Sequence, residues 1–422
     1  MSIHLPTIRS HFPALQLSDA GKPRVYFDNP GGTQVAQECL ARMNHYLVQC
    51  NANKGGVFRT AMQSDVILEE TRQALQEFIN AKSKQEIVFG ANMTTLTFQL
   101  AHAMAGAGWL KAGDEIICTR LDHDANVSPW LRLAQDTGAI VRFADINPAD
   151  CTLRLDDFEQ LLNEKTRLVA VGYASNASGT VNPVAQITAM AKAAGALVFV
   201  DAVQYALHGS IDVQALGADF LAFSMYKIFG PHVGVLWGKF DVLDSLPAYN
   251  VRPAGNRAPG KFMTGTQNHE GIAGTLGALE YIAWVGKEYG ASHAAQFPHF
   301  ASRQLHYQCG LAAMQVYEEE ISRHLLRGLQ AMDGITIHGI TDLARLHQRV
   351  PTISFTHARI SSTDIATRLA MENIYVWNGH FYAWEVVHRL NLMESGGMVR
   401  VGPVHYNTIE ECDRLLDIVA SL

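Results

Sequence analysis

Phe220-Leu-Ala-Phe-Ser224-Met-Tyr226-Lys227-Ile-Phe-Gly230-Pro231 is the segment on which the reading of this chain turns. Its first four residues form a short apolar run, the pattern of a strand buried on both faces. Lys227 stands at the mouth of that run. An ammonium there is costly to desolvate, so it is either solvated by a loop or employed chemically. A second run of the same kind, Ala196-Leu-Val-Phe-Val200, leads into Asp201-Ala-Val-Gln204. A carboxylate and a lysine therefore follow two buried strands, with a helical stretch between them.

The same alternation extends outward. Strand-like apolar runs occur at 86–90, 115–119, 140–144, 168–172 and 233–238, giving seven strands with 197–200 and 220–223. Helix-length segments at 94–105, 127–137, 155–162, 185–194 and 213–216 separate them. This spacing predicts an α/β fold with a mostly parallel seven-stranded sheet covered on both faces, in which ligands gather at the carboxyl ends of the strands. The segment 252–260 reads as an irregular loop, followed by helices at 272–284 and 315–332. Strands at 335–338, 352–356 and 398–401, with helices at 362–372 and 408–420, predict a smaller α+β domain. The expected division is an N-terminal segment, 1–25, packing on the small domain, a large domain, 26–285, and a C-terminal domain, 286–422.

Bulk composition narrows the function classes. The chain has 422 residues, 48% hydrophobic and 17% charged, which suits an ordinary globular protein of two domains. A net charge of −7 without a dense basic cluster argues against nucleic acid as a partner. No apolar stretch reaches the roughly 18 residues of a membrane span. The N-terminus lacks the basic region and apolar core of a signal peptide. Six cysteines without Cys-x-x-Cys spacing indicate neither a metal site nor a disulfide framework, and a reducing cytoplasmic setting is expected.

Lys227 and Asp201 suit pyridoxal phosphate, which needs a lysine for its aldehyde and a carboxylate for its pyridinium nitrogen. Three further segments fit that cofactor, and each also has a plain structural reading. Asn92-Met-Thr94-Thr95 places backbone amides and hydroxyls at a helix start, a phosphate site or simply an N-cap. His123, in Leu121-Asp-His123-Asp-Ala-Asn126, can stack on an aromatic ring or be a loop histidine. Asn176, in Tyr173-Ala-Ser-Asn176-Ala-Ser-Gly-Thr180, can donate to a phenolic oxygen or serve only a turn.

Jointly, in this order and spacing, these residues resemble the class V aminotransferase superfamily and, within it, the cysteine desulfurase and selenocysteine lyase-like group. Phe27-Asp28-Asn29, Asp122-His123-Asp-Ala-Asn126, Asn176-Ala-Ser-Gly-Thr180-Val-Asn-Pro183, Asp201/Gln204 and Ser224/Lys227 carry the likeness, which runs from about residue 25 to 410. The resemblance implies the type I fold of pyridoxal phosphate enzymes. It implies that Lys227 holds the cofactor and shuttles the Cα proton, that Asp201 partners the ring nitrogen, and that His123 stacks on the ring. Asn176 and Gln204 would contact its O3′ oxygen, and Thr94, Thr95 and Ser224 its phosphate. Tyr226 replaces a histidine of the family and can still donate to that phosphate. Thr266, in Thr264-Gly265-Thr266, matches a contact that the family delivers from a partner subunit, so a homodimer with a shared active site is implied. Arg400 matches the arginine that clamps the substrate carboxylate.

Two substrate-facing segments depart from the family. In 376–383, Tyr382 stands in the place of the persulfide-forming cysteine, and Asn378 in that of an arginine. Asn53, in Asn53-Lys-Gly-Gly56, stands where a histidine-containing loop is usual. A phenol cannot form a persulfide. The expectation is therefore an enzyme acting at Cα of an amino acid, a lyase that eliminates a β-substituent of the carbon–sulfur type. Transamination is the alternative, and epimerisation, true desulfuration and a non-catalytic cofactor-binding scaffold remain further ones.

Overall fold

The computed structural model describes residues 3–422. The large sheet comprises β1 (Ile87–Gly90), β2 (Glu115–Thr119), β3 (Ile140–Ala144), β4 (Thr166–Gly172), β5 (Leu197–Asp201), β6 (Phe220–Ser224) and β7 (Gly234–Gly238). Their order is β1-β7-β6-β5-β4-β2-β3. β7 runs antiparallel to both β6 and β1, while the other pairings are parallel. The expected mostly parallel seven-stranded sheet is what the chain forms. Two apolar clusters, one on each face, hold it: Val169, Val171, Val198 and Val200 belong to one, Leu168, Ala170 and Phe199 to the other. Alternate residues of one strand thus enter opposite cores, which is why these strands read as continuous apolar runs.

The smaller sheet contains β8 (Ile335–His338), β9 (Ile353–His357), β10 (Trp377–Gly379) and β11 (Met398–Val401), in the order β8-β9-β11-β10 with every pairing antiparallel. Strand β10 lies in the 376–383 segment, for which the sequence indicated no strand. Three residues are too few for period-two alternation to show.

Two long helices, His269–Tyr289 and Ser302–Gln330, pack closely on each other. The second begins 13 residues before the expected start at 315. A Cβ on Gly310 would stand 2.4 Å from the Ile282 carbonyl oxygen, so the helices cross where only glycine fits. Gly310 and buried Gln308 blur the amphipathic pattern there. The first helix continues unbroken through 285 and 286, the expected domain boundary.

The N-terminal segment touches both halves. Phe12 packs against Phe229, Tyr281 and Tyr406. Val25–Tyr26 pairs in parallel with Ile374–Tyr375, and Asp28 bridges to Gly402. The strand-end cleft and the small sheet are thereby stitched together by residues 25–32. No helix among the described residues is long and apolar enough to cross a membrane.

Candidate active site

The carboxyl ends of β1, β2, β4, β5 and β6 meet the start of β7 around a cleft of about 650 Å³. Nine of the expected residues line it: Thr94, Thr95, His123, Asn176, Asp201, Gln204, Ser224, Tyr226 and Lys227. Each is placed by a strand end. Asp201 is the last residue of β5, Ser224 the last of β6, and Lys227 closes the single helical turn Met225–Lys227 that follows.

Two opposite charges are buried in this cleft without being paired. Lys227 makes no hydrogen bond and no ion pair among the described residues, and Asp201 accepts only the Val203 N–H, at 2.9 Å. Burial lowers the Lys227 ammonium to about 8, assisted by the nearby Arg400 charge. Burial raises the Asp201 carboxyl to about 6, against the opposing pull of the Val203 N–H and Lys227. Burial, with the Lys227 and Arg400 charges, lowers His123 to about 3, so its ring is neutral. His123 Nδ1 accepts the Ala125 N–H at 3.0 Å, which puts the ring proton on Nε2.

The helix Met93–Gly106 points its amino end into the cleft. Asn92 caps it through the Thr95 N–H at 2.8 Å, and Ser224 Oγ accepts the Met93 N–H at 3.0 Å. Gly234 of β7 permits this approach, because a Cβ there would stand 2.4 Å from the Asn92 carbonyl carbon. A helix start with threonine hydroxyls is the kind of arrangement that could hold a phosphate, although Thr95 Oγ1 here donates to Asn92 Oδ1 at 3.0 Å.

Arg400 is buried beside the cleft, where its Nη2 donates to Asp28 at 2.9 Å and its Nη1 to the Asn176 carbonyl at 3.2 Å. The Phe381 ring covers its face at 4.5 Å. Asn176 Nδ2 in turn holds the Phe381 carbonyl at 2.9 Å. Phe381 and Tyr382 both have positive φ, 54° and 56°, a conformation that costs energy in side chains of this size. Tyr382 is 68% exposed and stacks on His123 with ring centroids 5.7 Å apart.

Three expected residues do not join this assembly within one chain. Asn378 pairs with Val399 across β10 and β11, and Val399 faces the small-domain core. Paired residues share a sheet face, so Asn378 points away from Arg400, and it donates instead to Thr363 at 2.9 Å. Asn53 and Thr266 line a separate cleft of about 750 Å³.

The structure also adds residues to which sequence reasoning assigned no role. Asp122 lines the cleft and bonds Thr119 at 2.7 Å and Asn126 at 3.1 Å. Burial raises its carboxyl to about 7. His232 stacks on Tyr226 at 5.1 Å. Phe381 and Asp28 complete the surroundings of Arg400. The Asp122 and His232 contacts are local, whereas Asp28 and Arg400 are remote in the chain and their meeting has no sequence signal.

The residues fit pyridoxal phosphate. A buried amine and a buried carboxylate, both without a counter-ion, stand in one cleft with an anion-binding helix start. The buried Oδ1 of Asn176 and Oε1 of Gln204 lack partners among the described residues.

Comparison with known proteins agrees. The aminotransferase class-V family model matches residues 25–308 and 301–415. An aminotransferase-like protein, FGM3, of Gibberella zeae is 32% identical, with 98% of this chain and 97% of that protein covered. A cysteine desulfurase of Yersinia pseudotuberculosis is 31% identical, covering 99% of this chain and 97% of its own. The apo structure of a cysteine desulfurase from Thermococcus onnurineus superposes with a TM-score of 0.85 at 27% identity, over 100% of this chain and 98% of that one. The chain belongs to the class-V aminotransferase family, and it is a pyridoxal phosphate-dependent enzyme of type I fold.

Proposed function

We propose that this family member acts at Cα of an α-amino acid and expels a β-substituent through carbon–sulfur elimination, without storing sulfur on an enzyme thiol. The observation that carries this reading is the chemistry around the cleft. All six cysteines are buried and none lines it, while Tyr382 stands over His123. The net reaction for cysteine is cysteine plus water giving pyruvate, ammonia and hydrogen sulfide.

When bound, pyridoxal phosphate supplies an aldehyde for attachment and an electron-accepting ring that acidifies the substrate's Cα–H. Lys227, lowered to about 8, presents a substantial fraction of neutral amine near pH 7.5, as a nucleophile and a carrier of the Cα proton require. Asp201 is the partner for the ring nitrogen and holds a proton there. Neutral His123 stacks without adding charge, and Asn176 and Gln204 orient the O3′ oxygen. Thr94, Thr95, Ser224 and Tyr226 hold the phosphate. Arg400 anchors the α-carboxylate, so that Cα lies within reach of Lys227.

The second cleft supports a homodimer in which Asn53 and Thr266 complete the partner's site. Exposed apolar residues Val57, at 96%, and Phe58, at 57%, follow Asn53 closely in the chain and supply apolar surface for association. Six unpaired, buried thiols support a reducing cytoplasmic setting.

The test is product formation from cysteine and S-substituted cysteines without any keto acid. Pyruvate and ammonia in equal amounts support elimination. Products that appear only with an added keto acid mean transamination, the reading favoured by the aminotransferase-like relative. A persulfide detected on the enzyme by mass spectrometry sinks the proposal.

A further inference from the structure

We infer that Asp28 is a specificity-determining residue, holding Arg400 in the resting enzyme and yielding it, in whole or part, to the incoming substrate carboxylate. The inference rests on the proposed role of Arg400 as the carboxylate anchor.

The guanidinium is almost fully surrounded. The Asn176 carbonyl takes Nη1, Phe381 covers the face and Asp28 Oδ1 takes Nη2, whereas Nε is buried and has no partner among the described residues. The Nε/Nη2 edge is the one that accepts a carboxylate with two parallel hydrogen bonds. Asp28 uses half of it.

The pair is also asymmetric in exposure. The Arg400 side chain is 4% exposed and that of Asp28 is 27% exposed. A buried guanidinium needs a counter-charge, and Asp28 provides one that can turn toward solvent. Its position is set by the 25–28 segment, which pairs with Ile374–Tyr375 and bridges to Gly402. Gly31, which lines the cofactor cleft, leaves room for the carboxyl: a Cβ there would stand 2.5 Å from Asp28 Oδ2. The Asp28 carboxylate therefore lies directly behind Gly31 of the cleft wall, on the Nη2 side of Arg400.

The consequence is selection. An amino acid carboxylate is drawn by Arg400 and repelled by Asp28, and it prevails by replacing one hydrogen bond with two. A ligand without that negative charge keeps at most neutral hydrogen bonds to Arg400 and is not repelled by Asp28. Asp28 thus sets how strongly the enzyme binds carboxylates, while Arg400 decides that it binds them.

The experiment titrates the cofactor-loaded enzyme with L-alanine and with L-alaninamide, reading the cofactor's visible absorption. Asp28→Asn is expected to bind alanine about tenfold more tightly, with alaninamide changed less than twofold. Asp28→Glu is expected to keep the wild-type ratio, and with a reactive amino acid the gain in Asp28→Asn falls in KM. Equal weakening of both ligands, or an unchanged alanine affinity, overturns the inference. Asp28→Ser removes the same charge and serves if Asp28→Asn does not fold. Arg400→Gln separates the two levels. If it leaves the alanine-to-alaninamide ratio intact, the anchor itself is wrong; if the ratio collapses while Asp28→Asn shows no gain, only the role of Asp28 falls.

Discussion

Replacing Asp201 by Asn should stabilise the cofactor-free protein while weakening its hold on the cofactor. Among the described residues, the buried Asp201 carboxylate has one hydrogen bond, from the Val203 N–H. Burial raises it from 3.8 to about 6. Between those values the folded protein keeps a proton that the unfolded chain releases, so stability is lost as pH rises through this window and stays low above it. A shift of roughly two pH units corresponds to about 3 kcal/mol at pH 7.5. Asn keeps the acceptor oxygen for Val203 and removes the charge. For 422 residues this gain is worth about 3 °C in melting temperature. The assay is thermal unfolding of both cofactor-free proteins from pH 4 to 8, paired with cofactor titration. The advantage of Asp201→Asn should appear near pH 7.5 and shrink toward pH 4, and cofactor affinity should fall at least about tenfold. An Asp201→Asn protein that is less stable than wild type at pH 7.5, or an advantage independent of pH, refutes the argument.

The remaining predictions concern the same cleft. Lys227→Met should stabilise the cofactor-free protein with the opposite pH signature. The wild-type deficit is present below about 8 and is relieved as pH rises toward 10.5, and the variant should also lose the yellow cofactor band. Gly234→Ala should push Asn92 and the helix start out of place, lowering phosphate and cofactor affinity at least about tenfold and melting temperature with it, as calorimetry and cofactor titration would show. Arg400→Gln should raise the apparent Kd for amino acids about a hundredfold with cofactor absorption retained; an unchanged Kd removes Arg400 from the site. Tyr382→Ala should leave the cofactor bound, because Tyr382 is exposed and meets the site only through His123; loss of cofactor on dialysis would contradict this placement.

The large sheet was legible because its strands are buried on both faces, so each apolar run announces itself without reference to its neighbours. Lys227 and Asp201 were legible for a related reason, since a charge directly after such a run has no bland place to go. The small domain was less so: β10 is too short for a pattern, and the helix Ser302–Gln330 hides its first turns behind Gly310, which serves a crossing with another helix. Asn378 matched a motif position, yet strand alternation turns it to the far face from Arg400.

By itself, the sequence determined which segments become the strands of the large sheet and, through the charges that follow two of them, the cofactor, because buried apolar runs and isolated charges are local properties. Tertiary structure alone decided what surrounds Arg400. Asp28 and Arg400 are 372 positions apart and meet only because residues 25–28 pair with the small domain. The division of Asn53 and Thr266 into a second cleft is likewise a matter of which surfaces the fold brings together. Contacts between remote segments depend on the geometry of the whole chain, and no local pattern of residues carries that information.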